Sequence, residues 1–331
     1  MDAPSQSGHL SLFPLFSFLR PGDSAIRRFL LFSAPLRSAM ATSQQLHPVD
    51  LLHPQEQQPL ATFLRPQRQQ RPVRVRRVWA SNLDLEFSII ARVLPRFPMV
   101  SFDTEFPRCT LLPQKPHYLL SADERYAFLK ANVERSKLTQ LGLTLFDADG
   151  NLPGGVGEAF IWEFNFCDFD VCRDKFDYNS DGIDFRMLFL KGIDPGRFAA
   201  CCHSAGLVRH CPCCSTTADW IAFGSVYDFG YLVKASSLDQ LLPDTLNEFL
   251  LQVTYLFGNF MDVKNLMSHC DGLSGGLEKV ARTLAITREV GGAHEAGSDS
   301  LLTTRVFLEM KKLFFTNEAD MAPYGNVIWG L

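Results

Sequence analysis

The stretch that most constrains this chain is Pro98 to Pro107, reading PMVSFDTEFP. An apolar run of Met99, Val100 and Phe102 carries two carboxylates, Asp103 and Glu105, and stops at Pro107. Side chains alternate across a strand, so positions i and i+2 share a face and both acids point at one place. Adjacent acids repel one another. The pair is therefore either a solvated strand end or half of a site for something positive, and hard oxygen donors of this kind suit a divalent cation.

Composition narrows the classes. With 331 residues, 46% of them hydrophobic and 12% aromatic, there is apolar material for one large domain or two small ones. The sequence has no run of 18 or more apolar residues, so a membrane span is not expected. A net charge of −4 and a pI near 6.1 argue against gripping nucleic acid by bulk electrostatics. Nine cysteines, partly adjacent, do not form the even framework of a secreted domain, and a reducing compartment is expected.

Residues 1–72 differ in texture. They mix Pro, Ser, Gln, Leu and Arg without a sustained period and lead into an arginine cluster, Arg65, Arg68, Arg71, Arg74, Arg76 and Arg77. This reads as a disordered leader ending in a solvated basic arm, with an organellar transit segment as the alternative, since residues 1–49 hold only Asp2 and Asp23 against four arginines. Met40 is a second candidate start.

From Val73 onward the pattern is periodic. Leu83, Phe87, Ile90 and Val93 follow a cap at Ser81 or Asn82 and predict an amphipathic helix. Ser121 to Glu134, with Glu124 at the capping-box position, predicts a second. Lys137–Phe146 and Ala159–Phe166 read as a strand and its hairpin partner across DADGN. Phe185–Leu190 and Pro195–Cys202 read as short helices, the latter capped by Asp194. Between Cys201 and Cys214 runs CCHSAGLVRHCPCC; contiguous Cys201, Cys202 and His203 cannot all reach one ion, and free thiols are favoured over zinc.

Trp220–Phe223 reads as a buried strand broken by Gly224 and Ser225, and VYDFGYLVK as a helix with Asp228 in its early turns. Helices are expected over Asp244–Phe257, over Met261–His269, and over GGLEKVARTLAI, the last ended by the basic TREVGG. AHEAGSDSLL places His294 five residues before Asp299, at the head of a helix running through Leu302, Val306, Met310 and Leu313 to Phe315. Taken singly, Asp228 is a charge at a helix start and His294 a structural hydrogen-bonder.

Together these residues match a known pattern. Asp103 and Glu105 in FDTEFP, Asp228 in YDFGYL, and His294 with Asp299 in HEAGSD resemble the four acids and histidine of the DEDD exonucleases, histidine subclass. KLTQLGLTL, GNLP, FLKGIDP, YDFGYLVK, DVKNLM, GGLEKVA and AGSDSLLT narrow the match: residues 73–331 resemble the Caf/Pop deadenylase subunit of the Ccr-Not complex, in a plant-like form. The resemblance implies an α/β, ribonuclease-H-like fold, a mixed β-sheet flanked by helices on both faces. It implies two divalent cations, Mg2+ or Mn2+, with Asp103 bridging both, Glu105 and Asp299 holding the one that carries the attacking water, Asp228 supporting the other, and His294 orienting or deprotonating that water. The expected reaction is 3′ to 5′ removal of adenylates from the poly(A) RNA tails of messenger RNA as 5′-AMP. The implied partners are the Not scaffold subunit and a second deadenylase, and the implied setting is nucleus and cytoplasm.

Three positions depart from the family pattern. Gly224 stands where the family has histidine, Arg108 where it has glycine, and Glu295 where it has glutamine. None is a ligand. They are the only support for an alternative, a weakly active or inactive paralogue that acts as an interaction module on the Not scaffold. A DNA proofreading exonuclease would share the acids and lack YDFGYLVK and GGLEKVA.

Overall fold

Two hydrophobic clusters, one on each side of a single sheet, organise the protein. The computed structural model describes residues 71–107, 109, 111–155, 157–167, 184–209, 218–237, 241–315 and 317–331. The leader up to residue 70, Arg108 and the CPCC part of the cysteine-rich segment lie outside the described residues.

The strands are β1 (Val73–Val78), β2 (Met99–Glu105), β3 (Gln140–Phe146), β4 (Ala159–Asn165), β5 (Asp219–Ala222) and β6 (Phe260–Asp262), in the spatial order β1-β4-β3-β2-β5-β6. β2, β3 and β4 form an antiparallel meander. β5 and β6 add in parallel beyond β2, and β1 adds in parallel to β4. A parallel neighbour needs a crossover, and the helices supply it.

Helices cover both faces, as expected. One face carries α1 (Leu83–Val93), α2 (Ala122–Arg135), α4 (Pro195–Ser204), α5 (Val226–Ser236) and α6 (Leu246–Phe257), packed over Val100, Phe102, Trp162, Phe164 and Trp220. The other carries α7 (Val263–Met267), α8 (Leu277–Thr283) and the long α9 (Ala296–Phe314), packed over Phe146, Ile161 and Ile221. A short α3 (Phe185–Lys191) precedes α4. Each fully buried aromatic such as Phe102 or Trp220 contributes about 1.5–3 kcal/mol of transfer free energy. Among the described residues no helix is long and apolar enough to cross a membrane.

Local signals hold where they rest on caps. Ser121 and Glu124 form the reciprocal capping box of α2, and Asp194 accepts the Arg197 N–H at the start of α4. Elsewhere the structure corrects the sequence. Arg74, Arg76 and Arg77 are not part of a solvated arm but lie on edge strand β1, where Arg76 makes a bidentate pair with Glu86 at 2.7 and 2.9 Å. The expected helix at Met261 starts later, because β6 completes the sheet before α7 begins. α6 is capped by Thr245, which pairs with Glu248, and starts at Leu246 rather than Asp244. Leu313 is exposed, although Leu302, Val306 and Met310 are buried as predicted.

Candidate active site

Strand β2 sorts its side chains by face. Ser101 donates to the Ser300 carbonyl of α9 at 2.7 Å, so Ser101, Asp103 and Glu105 face α9, while Phe102 stacks edge-on against Phe229 of α5 on the opposite side. The strand register places Gly142 of β3 directly beside Asp103. A Cβ added at Gly142 would lie 1.9 Å from the Ala296 carbonyl oxygen, so only glycine lets the first turn of α9 press onto the sheet there. Buried Ser298, Ser300, Thr303 and Thr304 keep that contact close, with Thr144 bonded to Ser300 at 2.9 Å. This approach brings Asp299 over the acid-bearing end of β2.

Metal-ligating atoms of Glu105, His294 and Asp299 all lie within 4.8 Å of one another. Asp103 is half-buried; burial first, then the charges of Asp228, Asp299 and Glu105, push its carboxyl well above the usual carboxylate range, with Arg288 opposing. Asp103 thus feels the charges of the other three acids, while the donor atoms that the structure brings together are those of Glu105, His294 and Asp299. A cluster of carboxylate oxygens and one imidazole nitrogen, strained by its own repulsion, fits a hard divalent cation such as Mg2+ or Mn2+.

Each acid has its own support. Asp228 comes from the first turn of α5, on the opposite face, and its Oδ1 accepts the Thr104 N–H at 3.1 Å and the Thr104 hydroxyl. Burial raises the Asp228 carboxyl to about 6 in spite of those two donors. Asp299 Oδ2 accepts the His294 N–H at 3.0 Å, and Oδ1 accepts from Arg288 at 2.5 Å. His294 is exposed and holds φ at 64°, a left-handed conformation that costs a non-glycine residue of the order of 1–2 kcal/mol. The bond to Asp299 holds it there.

Beneath α5 sits a fully buried carboxylate, Asp262, at the end of β6. It accepts the Gly224 N–H at 2.7 Å, the Ser225 N–H and hydroxyl at 3.2 Å, the Lys264 N–H at 2.9 Å and the Trp329 N–H at 3.0 Å. The clamp fixes the turn that aims Asp228. Gly224 itself has φ of 65°, and a Cβ there would come within 2.8 Å of the Lys264 side chain, so the glycine is built into this turn.

Sequence reasoning named Asp103, Glu105, Asp228, His294 and Asp299 and missed the residues that support them. Thr104 was hidden between the acids, although alternation alone sends it to the α5 face. The basic TREVGG reads as the end of a helix, yet α8 stops at Thr283 and Arg288 reaches Asp299 from the connecting segment. The cysteine segment contributes no described metal group: Cys201 bonds Asp84, Cys202 is buried, and His203 Nε2 bonds the Ser236 carbonyl at 3.0 Å, so the three point to three places. Beside the acids, a cavity of about 280 Å3 is lined by Arg77, Trp79, Gln140, Glu163, Asn165 and Glu295. Its floor continues the acid rows across the sheet, Glu105 to Gln140 to Asn165 and Asp103 to Gly142 to Glu163.

No family model matches the chain. Among curated proteins it is 39% identical over 267 residues to the probable CCR4-associated factor 1 homolog 7 of Arabidopsis thaliana, covering 78% of this chain and 94% of that protein. It is 36% identical over 271 residues to the poly(A) ribonuclease pop2 of Schizosaccharomyces pombe, covering 77% of each. The chain belongs to the CCR4-associated factor 1/Pop2 family of poly(A) ribonucleases. Among solved structures, S. pombe Pop2p in its Mg2+- and Mn2+-bound form aligns with a TM-score of 0.69 at 36% identity, over 78% of this chain and 99% of that one. Yeast CAF1, co-crystallised with the NOT1 MIF4G domain, aligns with a TM-score of 0.62 at 30% identity, over 77% and 96%. The ribonuclease-H-like sheet of the family is therefore the fold of this member too.

Proposed function

We propose that residues 73–331 form a divalent-metal-dependent 3′ to 5′ exoribonuclease that shortens messenger RNA poly(A) tails and releases 5′-AMP. The observation that carries this reading is the convergence of Glu105, His294 and Asp299 donor atoms within 4.8 Å, beside an Asp103 carboxyl that burial and the neighbouring acids push well above the usual carboxylate range. Asp103, Glu105, Asp228 and Asp299 would hold the ions. Two divalent ions held there would supply an activated water and stabilisation of the departing sugar oxygen. His294, exposed at the mouth of the site, would take the proton of the attacking water through its imidazole. The ribose 2′-OH is the group by which such a site distinguishes RNA from DNA.

The site repels its own substrate. With four acids at the centre and a net charge of −4, the chain gathers RNA poorly by itself. Docking on a Not-type scaffold, as yeast CAF1 docks on the NOT1 MIF4G domain, supplies local concentration in place of a basic surface. The chain then works beside a second deadenylase, in nucleus and cytoplasm. Fluorescent fusions beginning at Met1 and at Met40 test that location, with an organellar signal from Met1 alone identifying residues 1–72 as a transit segment.

The deciding experiment is digestion of a 5′-labelled RNA ending in about twenty adenylates, with magnesium, with EDTA, or with Asp103→Ala protein. A ladder that shortens from the 3′ end, requires metal and Asp103, and is slower on a non-adenylate tail establishes the activity. Folded protein that leaves the tail intact with magnesium and with manganese overturns it in favour of an interaction module.

A further inference from the structure

We infer that Arg288 is a built-in competitor of the divalent ion at Asp299, a cationic side chain that sets how tightly the site takes up metal. The inference rests on the metal-dependent reading above. Arg288 lies in the segment between α8 and α9, with its side chain only 15% exposed. One guanidinium nitrogen donates to Asp299 Oδ1 at 2.5 Å and to Glu278, and another donates to the Ser298 hydroxyl. A monovalent cation therefore already sits among the acids.

Holding the segment in place does not require it. The adjacent Glu289 turns the other way and pairs with Arg305 at 2.6 and 3.3 Å, and Arg305 also bonds the Gly150 carbonyl at 2.9 Å. That pair fastens the segment to α9 independently. Arg288 is left with a different effect: a divalent ion at Glu105 and Asp299 meets a fixed positive charge in a partly buried, weakly screened place, and binding weakens accordingly. Glu278 is the counterweight. It shares the guanidinium with Asp299, so neutralising Glu278 concentrates the arginine on Asp299.

Two substitutions therefore move metal affinity in opposite directions. Mn2+ alone is titrated calorimetrically into EDTA-stripped full-length protein, with melting temperatures in EDTA as the control for folding. Arg288→Gln is expected to bind Mn2+ about tenfold more tightly than the unmodified chain, Glu278→Gln several-fold more weakly, and Arg288→Lys, which keeps the charge, close to the unmodified value. A purely structural staple predicts that both glutamine variants lose stability and shift affinity together. That outcome, or an unchanged affinity in folded Arg288→Gln, overturns the inference. If Arg288→Gln does not fold, Glu278→Gln decides by its sign against the unmodified chain. If the unmodified chain binds Mn2+ and digests poly(A) while the variants leave affinity unmoved, this inference alone fails; if no form takes up Mn2+, the metal-dependent reading fails with it.

Discussion

Asp228 and Asp299 approach the same spot from opposite faces of the sheet and are held by opposite means. Asp228 rests on neutral donors, the N–H and hydroxyl of Thr104, within a turn clamped by buried Asp262. Asp299 rests on a guanidinium and on the backbone of a strained histidine. Neutral donors leave a carboxyl whose burial can still raise its pKa, and Asp228 titrates near 6. At Asp299 the Arg288 guanidinium balances the charge directly. The α5 side of the site is thus rigid and proton-sensitive, and the α9 side is charge-compensated and strained.

The comparison breaks most completely when either acid is removed. Asp228→Ala and Asp299→Ala should each lower the poly(A) digestion rate by about a thousandfold or more, about 4 kcal/mol of transition-state stabilisation, measured in single-turnover assays with magnesium. His294→Ala should cost at least about a hundredfold, with the loss greatest at the pH where the unmodified enzyme is fastest. Thr104→Val tests the support on the α5 side alone: it keeps volume, removes the hydroxyl donor to Asp228, and should reduce rate or metal affinity about 10- to 100-fold.

Stability without metal sharpens the contrast further. A carboxyl whose folded pKa is raised keeps its proton longer folded than unfolded, so the folded chain binds more protons through the window from 3.8 to about 6 at Asp228. Stability in EDTA should therefore fall as pH rises through that window, by about 3 kcal/mol from Asp228, and Asp228→Asn should remove that share of the fall in calorimetric melts. The smallest effect belongs to the α9 side. His294→Gly removes the left-handed penalty and should be about 1 kcal/mol more stable in EDTA than His294→Ala, while both remain equally impaired in digestion.

Asp228, His294 and Asp299 have ordinary structural readings taken singly and enter as a set only through the family resemblance, whereas Asp103 and Glu105 are legible in the sequence because two acids on alternating strand positions act within three residues of one another. The capped helices were legible for the same reason, since Ser121 with Glu124 and Asp194 with Pro195 act within a few residues of one another. What stayed hidden depends on contacts distant in the chain. β1 reads as a basic arm until Glu86 and β4 are beside it, β6 reads as the start of a helix until β5 offers it a ladder, and Gly142 is an ordinary strand glycine until Ala296, 154 positions later, lies against it. Arg288 was visible as a charge but not as a neighbour of Asp299, because a segment without periodic structure carries no direction in its sequence.

The Asp262 clamp also imposes an order in time. One of its donors, the Trp329 N–H, lies 101 residues beyond Asp228 in the chain, and the turn that aims Asp228 shares the same carboxylate. During synthesis the acids on β2 and α5 emerge long before that donor. Gly224, Ser225 and Lys264 can reach the carboxylate as soon as β6 is made, but the last donor arrives only once translation has passed residue 329, so the complete clamp belongs to the finished chain.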